Sequence, residues 1–357
     1  MKIENNSALI KKIRSIIDVN VVNMNVADLL MEIFNHVEIC DEQEIKQYIK
    51  EGLNEKEAIF EVIYDFYGFK HTNENDDVLI PYLLNNLKKL NPDNYLNNPY
   101  VKSINKEGKF GKYKLKYLSY EPYQLFAYDD IKIDEYRENS QIGYFDKKFS
   151  YLALTQGNNV WMSLNPNEIE TMKPFIEKGK GNVLVLGLGM GYVSYMLSLK
   201  SDVKSITIIE KDPEIISLFN KLIYPNFKHQ EKIKIVQDDA VEYVKKNQKQ
   251  AGYDYIFADL WHDPEDGLEL FIKLKNIDEK IDCWLNVSMY ALLRRCMITL
   301  LEEQLDGYQE NEYKFAKTYT DKVINIYYQK TKNLHISKYE EIENLLKDDT
   351  LLSLLKN

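Results

Sequence analysis

Two hydrophobic periodicities divide this chain. From residue 7 to about 95, apolar positions recur near every 3.6 residues, as in Leu9, Ile10, Ile13, Ile16 and Ile17, then Leu29, Leu30, Ile33 and Phe34. That spacing predicts amphipathic helices. Asn54-Glu55-Lys56-Glu57 has the form of a capping box, and Ala58, Ile59, Val62, Ile63 and Phe66 follow as one apolar face. Asn91-Pro92-Asp93-Asn94 stops the next helix. From 108 to 165 the pattern becomes short aromatic and β-branched runs parted by turn residues: Tyr113 to Tyr117, Tyr123 to Tyr128, Gln141 to Phe145 and Val160 to Leu164. These predict a small antiparallel β domain. Leu164-Asn165-Pro166-Asn167-Glu168 then reads as a turn entering a helix.

Beyond residue 180, strand and helix patterns alternate, which implies right-handed crossovers and a parallel sheet. Four strand runs, Asn182 to Leu186, Ser205 to Glu210, Lys232 to Ala240 and Tyr253 to Asp259, come first, and Asp282-Cys283-Trp284-Leu285-Asn286-Val287 reads as a fifth. A helix pattern runs from Ala291 to Gln304. Two further strand runs, Tyr313 to Tyr319 and Lys322 to Gln329, are joined by little more than Thr320-Asp321, a link that permits only antiparallel pairing. Residues 336 to 357 read as a final amphipathic helix. The expected organisation is a helical domain over 1–105, a small antiparallel β domain over 106–166, a ligand-binding α/β domain over 167–335 and a C-terminal helix over 336–357.

The first of these strands carries the strongest chemical signal. Asn182-Val183-Leu184-Val185-Leu186 runs into Gly187-Leu188-Gly189-Met190-Gly191, then Tyr192 and a helical pattern. Such a loop lets a ligand lie against bare backbone at the carboxyl edge of a parallel sheet. A dinucleotide fingerprint, G-x-G-x-x-G, would need glycine where Tyr192 stands. No Gly-Lys-Ser/Thr follows either, so a phosphate loop is disfavoured. The G-x-G-x-G form suits a ligand without phosphate, and S-adenosylmethionine or its decarboxylated relative meets that description. A purely structural glycine turn is the competing reading. Acids then recur at successive strand ends. Glu210 stands 23 positions after Gly187, where a carboxylate can accept both ribose hydroxyls. Asp239 is placed to accept an adenine amino group, with the Ala240 backbone beside it, and Asp259 closes the fourth strand. Each alone is equally explained as a helix cap; their recurrence is not.

At these residues the chain resembles the class I S-adenosylmethionine-dependent methyltransferases, and within them the spermidine-synthase-like branch. The resemblance covers about 108 to 330. It rests on the glycine loop, on Ile209-Glu210-Lys211-Asp212-Pro213, on Gln237-Asp238-Asp239-Ala240, and on Asp254-Tyr255-Ile256-Phe257-Ala258-Asp259 with His262-Asp263-Pro264. Glu121-Pro122-Tyr123-Gln124 is similar to the Pro-Tyr-Gln that opens the branch's small β domain. The resemblance implies a Rossmann-like α/β fold, a mostly parallel sheet closed by an antiparallel C-terminal hairpin. It implies cofactor contacts from Gly187, Leu188, Gly189, Gly191, Glu210, Lys211, Asp239, Ala240 and Asp259. Departures are equally plain. The branch's aminopropyltransferases carry an aspartate in the glycine loop, where this chain has Met190. Their Tyr-His pair falls on Asn167-Glu168-Ile169-Glu170-Thr171-Met172-Lys173, which lacks both residues. Their Asp-Ser-x-Asp-Pro becomes Asp259-Leu260-Trp261-His262-Asp263-Pro264, one residue longer.

Bulk properties narrow the partners. A chain of 357 residues exceeds the usual single domain. Hydrophobic content of 45% beside 29% charged residues reads as globular. The net charge of −10 argues against a nonspecific nucleic-acid binder, which needs surplus Lys and Arg. Cys40, Cys283 and Cys296 are far apart, odd in number and lack C-x-x-C, so neither disulfides nor a zinc site are expected. Met1-Lys2-Ile3-Glu4-Asn5-Asn6 is polar, and no apolar run approaches the roughly 20 residues of a membrane span. A cytoplasmic protein is expected. A lid, a dimer surface and a packing layer are all compatible with the helical region, with packing or homodimerisation favoured.

Methyl transfer is an in-line displacement in which alignment does most of the work. A base is needed where the acceptor holds a proton. Asp259, His262 and Asp263 are the catalytic candidates, His262 because it titrates near neutrality. Tyr123, Gln124 and Trp261 are candidate substrate contacts; Trp161 and Tyr192 are placed near the pocket. No Asn-Pro-Pro-Tyr segment or Pro-Cys nucleophile is present. The expectation is methyl transfer to a small molecule, with aminopropyl transfer as first alternative and a non-catalytic nucleoside-binding scaffold as second.

Overall fold

A computed structural model of the chain describes residues 1–69, 82, 85–247, 252–308, 310, 313 and 316–356. The chain opens with β1 (Lys2–Ile3) and a long helix, Ser7–Asn35, capped by the Asn6 side chain, which accepts from the Ala8 and Leu9 N–H groups. This helix serves two cores. Leu9, Ile13, Ile16 and Ile17 join the central core, whereas Val26, Leu30 and Ile33 pack with helices Glu42–Lys50 and Glu55–Tyr67 in a second one. The Asn54/Glu57 capping box opens the last of these. Residues 70–81, 83 and 84 of the expected helical region lie outside the described residues. At its end the helical reading fails: β2 (Leu87–Lys89) is a strand parallel to Ile142–Tyr144. Leu87 is buried while Lys88 and Lys89 face out, so sheet pairing and an inward apolar anchor override the local pattern. Short helices Asp93–Leu96 and Pro99–Ser103 follow.

Six strands come next: β3 (Gly108–Phe110), β4 (Tyr113–Tyr120), β5 (Phe126–Asp134), β6 (Arg137–Tyr144), β7 (Phe149–Gln156) and β8 (Asn159–Ser163). β3-β4-β7-β8 form an antiparallel sheet, and β5 and β6 a hairpin beside β2. β7 escaped the sequence reading because its run Leu152-Ala153-Leu154-Thr155 is buried on both faces and does not alternate. The sheets are tied to the rest by a half-buried ion pair. Arg295 grips both carboxylate oxygens of Glu138, and Asn23 of the first helix accepts from the Glu138 N–H.

After helix Pro166–Lys178 comes a five-stranded parallel sheet: β9 (Gly181–Leu186), β10 (Val203–Glu210), β11 (Ile233–Gln237), β12 (Tyr255–Ala258) and β13 (Asp282–Cys283). Its order is β11-β10-β9-β12-β13, with β9 central. Val183, Leu184, Val185 and Leu186 are all buried, as a strand covered on both faces requires. This is a Rossmann-like doubly wound parallel sheet, and its acidic strand ends emerge on one edge.

The expected C-terminal hairpin is not found among the described residues. Lys322 to Gln329 lies within a helix, Tyr319–Thr331, and Tyr313 to Tyr319 falls partly outside the described residues. Val323, Tyr327 and Thr331 are buried at intervals of four, and Thr318 and Asp321 form a capping box. The β-branched composition suggested a strand, but burial follows the helical period. The helix packs on Asn286–Leu305. That second helix begins at Asn286, before the expected Ala291, and the fifth strand is only two residues long. After β14 (His335–Ile336), which pairs with β1, the final helix is two pieces, Tyr339–Leu345 and Asp348–Leu354. Arg294 donates to the Leu346 carbonyl at the break, taking a group that a continuous helix would have used itself. Among the described residues no helix is long and apolar enough to cross a membrane.

Candidate functional site

β9 delivers the glycine loop to the carboxyl edge of the sheet. Gly187 has φ +99°, and a Cβ there would stand 2.0 Å from the Asp259 carbonyl oxygen. The Asp259 N–H donates to the Leu186 carbonyl at 2.8 Å, so only glycine lets these two strand ends meet. Gly189, φ +49°, faces the Met162 side chain, whose sulfur would lie 1.8 Å from a Cβ. Gly191 precedes helix Tyr192–Ser198 and packs against the Phe219 and Phe227 rings. The amino-terminal layer braces the loop from behind. Buried Tyr100 donates to the Met190 carbonyl, and the Asn98 amide donates to the Tyr192 hydroxyl at 3.0 Å.

In front of the loop lies a cleft of about 330 Å³. Gly187, Leu188, Gly189, Glu210, Lys211, Asp239, Ala240 and Asp259 all border it; Gly191 does not, and lines a smaller chamber behind. The Glu210 carboxylate accepts from the Leu188 N–H at 3.2 Å and the Asp212 N–H at 2.8 Å, which fixes its orientation toward the cleft and leaves each oxygen a further lone pair. Asp239 accepts from the Glu242 N–H, so it caps helix Ala240–Asn247 with one oxygen and keeps the other. Asp238 and Asp266 also border the cleft; strand-end reasoning singled out neither.

Of the catalytic candidates, Asp259 sits at the inner end and lines both cavities. His262 is exposed at the mouth, its ring edge-on to Trp161 with centroids 5.1 Å apart. Asp263 does not border the cleft. It is the N-cap of helix Pro264–Ile277, accepting from the Asp266 N–H at 2.8 Å. Its assignment to catalysis is corrected on that ground, since the Asp-Pro opening demands a cap. Tyr123 and Gln124 are corrected likewise. Tyr123 is buried in the second core against Tyr144, and Gln124 accepts from the Glu121 N–H at 2.9 Å. Trp261 does border the cleft, buried against Gly267, and its indole N–H has no partner among the described residues.

The smaller chamber, about 20 Å³, brings Asp259 to a residue the sequence reading passed over. Glu168, in the first turn of helix Pro166–Lys178, lines it with Met172, Tyr192 and Ser194. Burial pushes the Asp259 carboxyl up to about 7. Burial, and then the charge of Asp259, hold Glu168 well above the usual carboxylate range. Among the described residues no Lys or Arg lines the chamber. Thr171 and Met172 occupy the places of the Tyr-His pair; the Thr171 hydroxyl is spent on the Trp284 indole at 2.9 Å.

Residues 167–283 match the spermine/spermidine synthase domain. This domain spans a third of the chain, from the helix bearing Glu168 to β13. Its strand order is common to doubly wound nucleotide-binding sheets, so the family match and the glycine spacing, rather than the topology, separate it from dinucleotide-binding domains. The chain is also similar to two solved structures. Against a spermidine synthase from Thermotoga maritima the identity is 14%, with 42% of this chain and 59% of that chain covered and a TM-score of 0.29. Against a putative O-methyltransferase from Klebsiella pneumoniae the identity is 12%, with 31% and 48% covered and a TM-score of 0.24. The matched part thus spans less than two thirds of either structure. No curated protein matches.

Proposed function

We propose that the cleft takes an adenosyl sulfonium donor, ribose on Glu210 and adenine beside Asp239 and Ala240, and that the domain transfers an aminopropyl group from decarboxylated S-adenosylmethionine to a small amine. One observation carries the choice of donor: the Glu168–Asp259 pair, in a chamber beside the glycine loop that no described Lys or Arg lines. The tail of S-adenosylmethionine bears a carboxylate beside its ammonium, and that carboxylate would be forced toward two acids. The decarboxylated tail ends in an ammonium alone, which two carboxyls attract. In the reaction the amine nitrogen attacks the carbon bound to sulfur, that bond's electron pair passes to sulfur, and methylthioadenosine leaves. Asp259, kept ionised by the donor's ammonium, takes the proton that the amine loses. His262 lies farther out, where the acceptor enters.

The test is calorimetric titration with S-adenosylmethionine, its decarboxylated form and methylthioadenosine, followed by mass spectrometry of products with amine acceptors. Decarboxylated donor binding at least about tenfold tighter than S-adenosylmethionine supports the reading; the reverse order defeats it. A second reading, methyl transfer, is favoured by Met190 in the loop and by Thr171 and Met172 in place of the Tyr-His pair. It predicts the reverse order.

A further inference from the structure

The cleft and the carboxyl chamber behind it share four lining residues: Met162, Gly187, Leu188 and Asp259. Gly187 and Leu188 are loop backbone and a buried side chain, and Asp259 is the site's own acid. The Met162 thioether is the movable part of the partition. Its Sδ, Cε and Cγ all lie within 3.5 Å of where a Gly189 Cβ would be, so the side chain rests on the bare Gly189 backbone.

A local irregularity puts it there. β8 pairs with β7 as Leu154 to Met162 and Thr155 to Val160, so Trp161 is an extra, unpaired residue. Such a bulge re-aims neighbouring side chains and recurs beside active sites. Trp161 turns outward onto His262 and Tyr113, and Met162 turns inward onto the loop. β8 is the edge of its sheet, with Asn159, Val160 and Trp161 exposed, so little packing holds the strand from outside.

Volume decides what this arrangement means. The chamber holds about 20 Å³, room for about one water. A three-carbon tail ending in ammonium has four heavy atoms and cannot enter. We infer that Met162 is a gate and a donor-selecting residue: the donor's tail meets Asp259 from the cleft but reaches Glu168 only when the thioether swings off Gly189, and the side chain at 162 sets which tails are admitted. An unbranched methionine with three rotatable bonds suits that motion. The inference rests on the donor reading above.

The experiment compares methylthioadenosine, which carries no tail beyond a methyl, with decarboxylated S-adenosylmethionine in wild type and in Met162→Ala, Met162→Leu and Met162→Phe. The readout is the ratio of the two affinities. Met162→Ala should shift it toward the tailed donor by about tenfold, and Met162→Phe against it by about tenfold or more, while methylthioadenosine itself changes less than about threefold. The leucine variant keeps the volume but loses the flexibility, and should fall between phenylalanine and wild type. A ratio constant within about twofold across all variants would overturn the gate and leave the donor reading standing. Failure of methylthioadenosine to bind wild type would remove the donor reading and the gate together.

Discussion

Replacing Asp259 with asparagine should stabilise this protein while stopping its chemistry, and the stabilisation should depend on pH. The carboxyl is held at about 7 by burial, against an ordinary value of 3.8. The folded state therefore binds a proton more tightly than the unfolded one, and unfolding free energy falls as pH rises from 3.8 toward 7. About three pH units at 1.36 kcal/mol each set a ceiling near 4 kcal/mol. Glu168 shares the burden, and Asp259 keeps partial access to solvent, so about 1–3 kcal/mol is the working figure. For a chain this long each kcal/mol moves the melting temperature by about 1–2 °C. Asparagine is isosteric and does not titrate. The Asp259→Asn variant should melt with wild type near pH 4 and about 2–4 °C above it at pH 8, the difference growing between those limits and levelling above 7. Thermal melts by circular dichroism across that range decide the matter. A difference that stays constant with pH, or shrinks as pH rises, would refute the claim that an ionised Asp259 is a cost to the fold.

Glu210→Ala should weaken methylthioadenosine binding by about 1–3 kcal/mol, read by calorimetry, because a charged acceptor is removed from the ribose and from the Leu188 N–H. Asp263→Ala should lower stability by about 1 kcal/mol through loss of the helix cap yet leave the ratio of donor affinities unchanged, as denaturation beside calorimetry would report. Gly187→Ala should cost about 3 kcal/mol or more in denaturant unfolding, since its Cβ meets backbone rather than a yielding side chain.

What the sequence disclosed follows from where its physics is local. The glycine loop, the acids at three strand ends and the Asn54 capping box are set by neighbours in the chain, and all lie where spacing put them. The 319–331 segment misled because its β-branched residues favour a strand, while the burial of Val323, Tyr327 and Thr331 against another helix decided for helix. Tyr123 misled for a different reason. Its motif placed it at the start of the β domain, but its φ of +62° turns the ring into the second core. Trp161 does border the cleft, but Met162 was hidden by the bulge, which no composition signal marks. Glu168 stands in the segment matched to the Tyr-His motif, three residues before the departures that drew attention there. Its partner is 91 positions away, and nothing local announces a pair of that kind.

On the proposed aminopropyl reading, that pair stands in for the loop aspartate that Met190 replaces. Met190 is buried, and its carbonyl is taken by Tyr100, so the loop offers backbone but no charge. An acid supplied from the first turn of the preceding helix reaches the same side of the sheet as Asp259. Without a cation between them, two desolvated carboxyls oppose each other, and protonation relieves them. An arriving ammonium reverses the balance: it favours both ionised forms, so binding should expel a proton near pH 7 and tighten as pH rises through that value. The S-adenosylmethionine tail carries a carboxylate beside its ammonium, so the two largely cancel at the pair and it should release fewer protons than the decarboxylated donor. Calorimetry of the two donors in buffers of different ionisation enthalpy reads that difference in proton release. Equal release from both donors would mean that the donor's tail never meets these two acids.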